Sequence, residues 1–192
     1  LDAQEKKLEA NPKDAAALLA PPGFATTQGL SLDFTAVIEE TTCLMSVVSL
    51  NNASVSGSGT QYDLTIPNFG IAELLSATAS TEASFKLLPK ECNNEITSLK
   101  TTVQGVTLSN TLFMLKNTLT SGNAENVGLG FKPNGSDEGS RFKVDGTQKI
   151  DWSAGQIANG MELNAFFRRA STSLTPTPGD FQAKALFTFT YE

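Results

Sequence analysis

Hydrophobic and polar residues alternate along most of the chain after Phe24. Leu30, Leu32 and Phe34 are separated by single polar residues, which is the period of a half-buried β-strand. Similar reasoning predicts further strands at residues 44–50, 61–66, 83–88, 98–108, 111–115, 126–131, 141–144 and 161–169. About ten short strands at this spacing predict an all-β fold, either a sandwich or a barrel.

Clusters of Gly, Pro, Asn and Ser separate the predicted strands. We expect turns at Ser56–Gly59, Pro67–Asn68, 133–136, Asp145–Gly146 and 158–160, because these residues favour turn conformations. The segment 70–80 has no clear period, and either a helical turn or a loop is expected there.

The first residues of the chain differ from the rest. Residues 1–20 are charged and rich in helix formers, and Asn11-Pro12 has the order of an N-cap followed by Pro at the first helical position. Pro21-Pro22-Gly23 then ends the helical pattern. Residues 1–23 are therefore predicted to be a helix-prone N-terminal arm, or a remnant of foreign sequence.

The end of the chain alternates more strictly than any other segment. One face of the predicted strand is apolar and consists of Phe181, Ala183, Ala185, Phe187, Phe189 and Tyr191. The other face carries Gln182, Lys184, Thr188 and Thr190, with Leu186 as the single exception. Because one face of such a strand needs an apolar environment, it is either buried in its own domain or covered by a partner.

Charge and composition exclude several classes of function. The net charge is −6 and the pI about 4.7, and the two adjacent arginines form no basic patch, so we expect no nucleic-acid partner. The absence of histidine removes the commonest general base and metal ligand, so we predict no enzyme, no cofactor and no metal site. Asp145, Asp151 and Glu162 offer the remote alternative of a carboxylate-dependent enzyme. No stretch is apolar enough for a membrane span, so the chain is not expected to be membrane-embedded.

Two cysteines, Cys43 and Cys92, have two interpretations. They are free core thiols of a cytosolic protein, or one disulfide of an exported protein. Their polar flanks favour the disulfide. Such a bond closes a loop of 49 residues and contributes roughly 4 kcal/mol in the chain-entropy model.

Three features of the C-terminal segment together resemble a known signature. Gly179 is the fourteenth residue from the end, an alternating strand follows it, and Tyr191 is the penultimate residue. This combination resembles the C-terminal signature of chaperone–usher pilus subunits, the type 1-like fimbrial family. The segments 34–43, 85–92, 126–130 and 165–170 resemble, in the same order, other stretches of these subunits.

The resemblance implies an incomplete immunoglobulin-like β-sandwich, the pilin fold, that lacks its last strand and forms residues 43–192. Residues 24–42 would then be an N-terminal extension and donor strand leading into the first strand. The groove and chaperone-contact strand would contain Gly179, Phe181, Ala183, Ala185, Phe187, Phe189, Tyr191 and Glu192. The donor face would be Phe24, Thr26, Gln28, Leu30 and Leu32, although Thr26 and Gln28 are polar. Cys43 and Cys92 would form the disulfide.

The function that the resemblance implies is a structural subunit of a bacterial surface fimbria. Its partners would be neighbouring pilus subunits, a periplasmic chaperone and an outer-membrane usher, and export through the periplasm would take it to the cell surface. The alternative is a fimbrial adhesin or a tip or adaptor subunit that binds a host glycan or protein. A further possibility is a self-contained sandwich, in which residues 24–38 complete the fold of their own chain.

Overall fold

Two β-sheets pack face to face in the computed structural model, which describes residues 29–39, 43–92 and 96–192. The strands in these residues are β1 (Gly29–Glu39), β2 (Leu44–Asn51), β3 (Ser54–Ser58), β4 (Gln61–Gly70), β5 (Glu82–Lys90), β6 (Leu99–Gln104), β7 (Leu115–Lys116), β8 (Val127–Pro133), β9 (Ile150–Asp151), β10 (Met161–Arg169) and β11 (Gly179–Tyr191). The predicted arm 1–23 and the rest of residues 1–28 lie outside the described residues.

Sheet A has the strand order β3-β4-β1-β11-β6-β9, and sheet B has the order β2-β5-β10-β8-β7. Strands that are far apart in the chain are neighbours in both sheets, as in immunoglobulin-like sandwiches. The prediction of an all-β immunoglobulin-like sandwich is therefore confirmed. The short helices α1 (Ile71–Ser76) and α2 (Ala154–Asn159) lie between strands.

Phenylalanines dominate the core between the sheets. Phe34 of β1 packs against Phe131 and Phe85, with ring centroids 5.3 and 6.0 Å apart, and Phe187 of β11 lies 5.7 Å from Phe131. A second group joins Phe167 and Phe181 at 5.1 Å. Most of these ring pairs are edge-on, the arrangement that the aromatic quadrupole favours. The inward side of β1 thus belongs to the same core as β11.

The outer face of sheet B buries an aromatic ring beneath charged side chains. Phe166 lies against Gly130, where an added Cβ would overlap the ring. Lys132 and Arg168 both lie over this ring, and Glu82 accepts from them at 3.1 and 3.0 Å. Glu138 also accepts from Arg168, so two carboxylates balance two cations over this ring, which is 1% exposed.

Several predicted strands and turns are wrong. Residues 54–58 form β3, where a turn was expected at Ser56–Gly59, and Pro67–Asn68 lie inside β4. In the predicted strand 111–115 only Leu115 is in a strand, and 141–144 contains none. Phe142 nevertheless donates its backbone N–H to Phe131 at 2.8 Å, so tertiary hydrogen bonds replace a regular ladder there. The segment 70–80, left open between helix and loop, contains α1.

A disulfide joins Cys43 and Cys92. Cys43 precedes β2 and Cys92 follows β5, and these two strands are paired from Leu44 and Lys90 onward. The predicted disulfide is confirmed, and it fixes the end of sheet B at the point where the chain arrives from β1 in sheet A.

We expect replacement of both cysteines by serine to lower the free energy of unfolding by about 2–4 kcal/mol, because the unfolded chain regains the loop entropy that the bond removes. Urea unfolding of the double variant and the native protein measures this difference. Mass spectrometry after thiol alkylation, with and without reductant, is the control. Alkylated cysteines in protein that was never reduced would contradict the bond.

Candidate strand-insertion groove

The two walls of the candidate site are β4 and β11, and β1 lies between them. Residues 43–192 alone leave this position of sheet A empty, so their sandwich is incomplete, and β1 of the same chain completes it. The possibility that the N-terminal segment completes its own fold is the arrangement seen here. The strand that completes the fold, β1, is separated from Cys43 by residues 40–42 alone.

The register of β1 is continuous against β11 and shifts once, between Leu30 and Leu32, against β4. It pairs in parallel with β11 over ten Cα partners, from Leu30 opposite Gly179 to Glu39 opposite Thr188. It pairs antiparallel with β4, from Gly29 opposite Gly70 to Val37 opposite Gln61. β1 thus pairs both edges that would otherwise be exposed, and unpaired strand edges are aggregation sites.

At two positions of the β1–β11 pair, a large residue of β1 faces a small residue of β11. Phe34 is opposite Ala183, and Leu30 is opposite Gly179. Leu30 and Phe34 are at most 2% exposed. Ala36, opposite Ala185, is also buried. These buried side chains of β1 therefore extend the core of the sandwich into the groove.

Gly179 is required by a close approach of the backbone. An added Cβ would overlap the backbone of Asn123 and Ala124. These residues are held there because Ala124 donates its N–H to Asp180 at 2.8 Å and Asp180 donates to Gly122 at 2.8 Å. The glycine of the C-terminal signature is thus the residue at which β11 enters the sheet beneath this loop.

The predicted apolar face of β11 is buried except at its end. Phe181, Ala183, Ala185, Phe187 and Phe189 are buried, while Tyr191 is half-buried and packs against the core. Glu192 is exposed. Its main-chain oxygen accepts hydrogen bonds from the backbone N–H groups of Thr97 and Ser98 at 2.9 and 3.0 Å. The role of Glu192 in the chaperone contact stays a prediction.

The predicted donor face is only partly described. Phe24, Thr26 and Gln28 lie outside the described residues, whereas Leu30 and Leu32 lie in β1. Their role as donor residues stays a prediction. Sequence reasoning missed that Phe34 and Ala36 belong to the same face and fill the groove. The signal was present, because the alternation that begins at Leu30 continues through both residues.

The outer side of the groove is polar and largely buried. Asp33, Thr35 and Gln182 are buried there, although an outward polar face predicts exposure. Thr35 donates its hydroxyl to Oδ1 of Asp63 at 3.1 Å. Burial raises the pKa of Asp63, and this hydrogen bond opposes part of the rise. Burial also lowers the pKa of Lys184, the β11 residue opposite Thr35.

The carboxylates considered for catalysis lie in separate surroundings. Asp145 accepts a hydrogen bond from the Thr147 hydroxyl. Asp151 of β9 is the backbone register partner of Lys100 in β6, and Glu162 of β10 is the register partner of Lys86 in β5. In the part of the chain that the structure describes, no group of three or more acidic or cysteine side chains is arranged to hold a metal ion. Of the helices described, none is long and apolar enough to cross a membrane.

Comparison with known proteins identifies a family and a relative. A family model described as Fimbrial protein matches residues 45–192, which is the sandwich from β2 onward. The chain is also 31% identical over 179 residues to an uncharacterized fimbrial-like protein, YadM, of Escherichia coli K12. That match covers 91% of this chain and 92% of the relative. The family model therefore begins after β1, whereas the relative extends over most of the chain.

We expect Gly179→Ala to destabilise the protein by about 1–3 kcal/mol, since the new methyl group forces β11 away from the loop that holds it. Gly139→Ala is the matched control, because an added Cβ there meets nothing within 4 Å. Urea unfolding of both variants measures the effect. Equal stability of the two variants would contradict the close approach at Gly179.

Phe34→Ala should cost about 3–5 kcal/mol of unfolding free energy, because it removes a buried ring from the centre of the core. Leu112→Ala serves as the control, since Leu112 is 46% exposed and its loss should change stability by no more than about 0.5 kcal/mol. Chemical unfolding of monomeric protein gives both values. A small effect of Phe34→Ala would show that β1 is not seated in the groove.

Proposed function

The chain belongs to the fimbrial protein family, and from this membership and the geometry of the groove we propose that it is a structural subunit of a bacterial pilus that polymerises by donor-strand exchange. Fimbrial proteins form a structural and adhesive family rather than one of known enzymes. They are exported through the periplasm to a surface fimbria, and this is the location of the chain.

The observation that carries the proposal is that a strand in the middle of sheet A is the first described strand of the chain. β1 lies between two walls whose backbone groups it pairs, yet it precedes the disulfide and all other strands of the sandwich. Its departure would leave the pairings among the other described strands in place. Its site then accepts an equivalent strand from another molecule, in the manner of β-strand addition.

The equilibrium between the two arrangements is close to balanced. A strand of the same sequence offers the groove the same apolar side chains, so the incoming strand restores most of the packing that the departure of β1 removes. A donated strand that runs opposite to β1 would pair antiparallel with β11, and antiparallel ladders are slightly more stable per residue. The step that limits exchange is therefore the release of β1 from its groove, since the incoming strand needs little additional binding free energy.

The geometry of exchange is head to tail. Each subunit would give its β1 segment to one neighbour and receive a segment from another, so the contact surfaces differ and the assembly does not close. Only residues 40–42 separate a donated β1 from Cys43 of its own sandwich. Successive subunits would therefore lie next to one another, as a filament requires.

A periplasmic chaperone is the partner that this chemistry calls for before assembly. With β1 withdrawn, the edges of β4 and β11 and the buried face of Phe181 and Phe187 would meet water. Such a surface aggregates unless a strand covers it. A chaperone that supplies a strand, and an outer-membrane usher that replaces the chaperone with the next subunit, would meet this need.

Locking β1 in its own groove should block exchange. We expect the double variant Ala36→Cys/Ala185→Cys to form a bond across the β1–β11 pair, because these residues are opposite each other at the spacing of adjacent strands. Locked protein should take up no fluorescent peptide of residues 29–42 and should form no oligomers in light scattering. The native protein should do both slowly.

The two single variants are the controls, because each changes the packing but cannot form the bond. Both should take up peptide at about the native rate. Equal uptake by the locked double variant and the single variants would show that peptide binds outside the groove, and it would overturn the proposal.

A further inference from the structure

The first half of β11 has a strand neighbour on one edge only. β1 pairs with β11 from Gly179 onward, whereas β6, on the other edge, pairs with it only over Leu186–Tyr191. Among the described strands, no third one is a neighbour of β11 in the sheet. The edge of residues 179–185 that faces away from β1 therefore needs hydrogen-bond partners from outside a regular strand.

The side chain of Asn117 supplies partners to this edge in the manner of a peptide group. Its Nδ2 donates to the backbone oxygen of Asp180 at 2.7 Å, and its Oδ1 accepts the backbone N–H of Gln182 at 3.1 Å. A residue of a parallel strand bonds its neighbour in the same way, since it donates to one residue and accepts from the residue two places further on. Asn117 is buried, so these bonds are shielded from water.

The same carboxamide also fixes the loop to which it belongs. Nδ2 donates a second bond to the backbone oxygen of Ala124 at 2.9 Å, and Oδ1 accepts the N–H of Leu119 at 3.1 Å, so all four sites of the amide are used. Thr118 adds two bonds to the backbone oxygen of Gln182, from its N–H at 2.8 Å and its hydroxyl at 3.0 Å. We call residues 117–124 the clamp loop.

We propose that Asn117 is the positioning residue that keeps the β11 wall in register while no strand fills the groove. This inference rests on the proposed exchange of strands, because exchange requires the groove to be empty for a time. The backbone groups of Asp180 and Gln182 point to the clamp loop. Those of Phe181 and Ala183 point to β1, because successive residues of a strand direct their backbone groups to opposite edges. Release of β1 therefore leaves the hydrogen bonds of the clamp loop intact.

Core packing alone does not set the register of this wall. Phe181 packs on Phe167 with ring centroids 5.1 Å apart, but the hydrophobic contribution of such contacts is non-directional. A wall that is already held by hydrogen bonds does not have to be ordered when a strand binds, and preorganisation of this kind favours binding. An incoming strand of either direction pairs with the same edge of β11, so the requirement does not depend on the direction of that strand.

The first test is amide hydrogen exchange of the full chain, followed residue by residue by NMR spectroscopy. The Gln182 amide should exchange at least about tenfold more slowly than the Ala183 amide, because release of β1 exposes only the second of them. Asn117→Ala should abolish this difference, and Asn110→Ala should preserve it. Asn110 is the matched control, since its side chain donates to the backbone oxygen of Ala170, which follows β10 and lies outside the groove.

Equal exchange of the Gln182 and Ala183 amides in native protein would show that the wall opens together with β1, and it would overturn the inference. Thr118→Val covers the case in which Asn117→Ala does not fold. This variant removes only the hydroxyl bond to the backbone oxygen of Gln182, so the difference between the two amides should shrink without disappearing. An unchanged difference in Thr118→Val would contradict the clamp.

The second test measures strand binding to a groove that its own β1 does not fill. Phe34→Asp brings a carboxylate to a buried position of the phenylalanine core, so β1 should no longer seat. A labelled peptide of residues 29–42 with the native sequence is offered to this full-length variant. Adding Asn117→Ala should raise the dissociation constant of the peptide at least about tenfold, because β11 must then be ordered on binding. Adding Asn110→Ala should leave the constant unchanged.

The two proposals fail in different ways. If the peptide does not bind the Phe34→Asp variant, strand exchange fails, while hydrogen exchange in native protein still decides whether Asn117 holds the wall. If the peptide binds with the same dissociation constant with and without Asn117→Ala, exchange stands and the positioning role of Asn117 is wrong.

Discussion

The backbone N–H and C=O groups along β4 and β11 must be paired, and the rest of the structure depends on how this is done. The two strands lie in one sheet but are not each other's neighbours. Without a strand between them, the backbone groups along one edge of β4 and one edge of β11 would be unpaired, and the core beneath them would face water. Both exposures lower the stability of the folded chain. β1 meets the whole requirement at once, because its ladders extend along both walls.

The strand that fills this gap is constrained on both of its faces. Its inward residues enter the phenylalanine core, where Phe34 contacts rings from sheet B. Its outward residues are buried as well, so Asp33 and Thr35 must find polar partners rather than water. An occupant of the groove is therefore constrained on both faces, and an apolar inward face alone does not define it.

Sequence reasoning was wrong at segments where the side-chain pattern indicates one structure and the backbone pairing produces another. Ser54–Ser58 is polar and contains Gly57, so its composition indicates a turn, yet pairing with β4 makes it a strand. Residues 141–144 alternate like a strand, yet only single backbone bonds, such as that of Phe142 to Phe131, hold them. Neither outcome is determined by local propensity, because strand formation depends on whether a partner edge is available.

Side-chain pattern and spacing were enough to establish the all-β class, the face of β11 that is buried, the disulfide and the family. The fold class and the buried face follow from the spacing of apolar residues, whereas the family and the disulfide were predicted from the resemblance of the C-terminal segment to a known signature and from the polar flanks of the cysteines. Which strand fills the groove and in which direction were decided only in the folded chain. Alternation specifies the face that a side chain takes, but parallel and antiparallel strands alternate alike, and the pairing partner of β1 lies about 150 residues away.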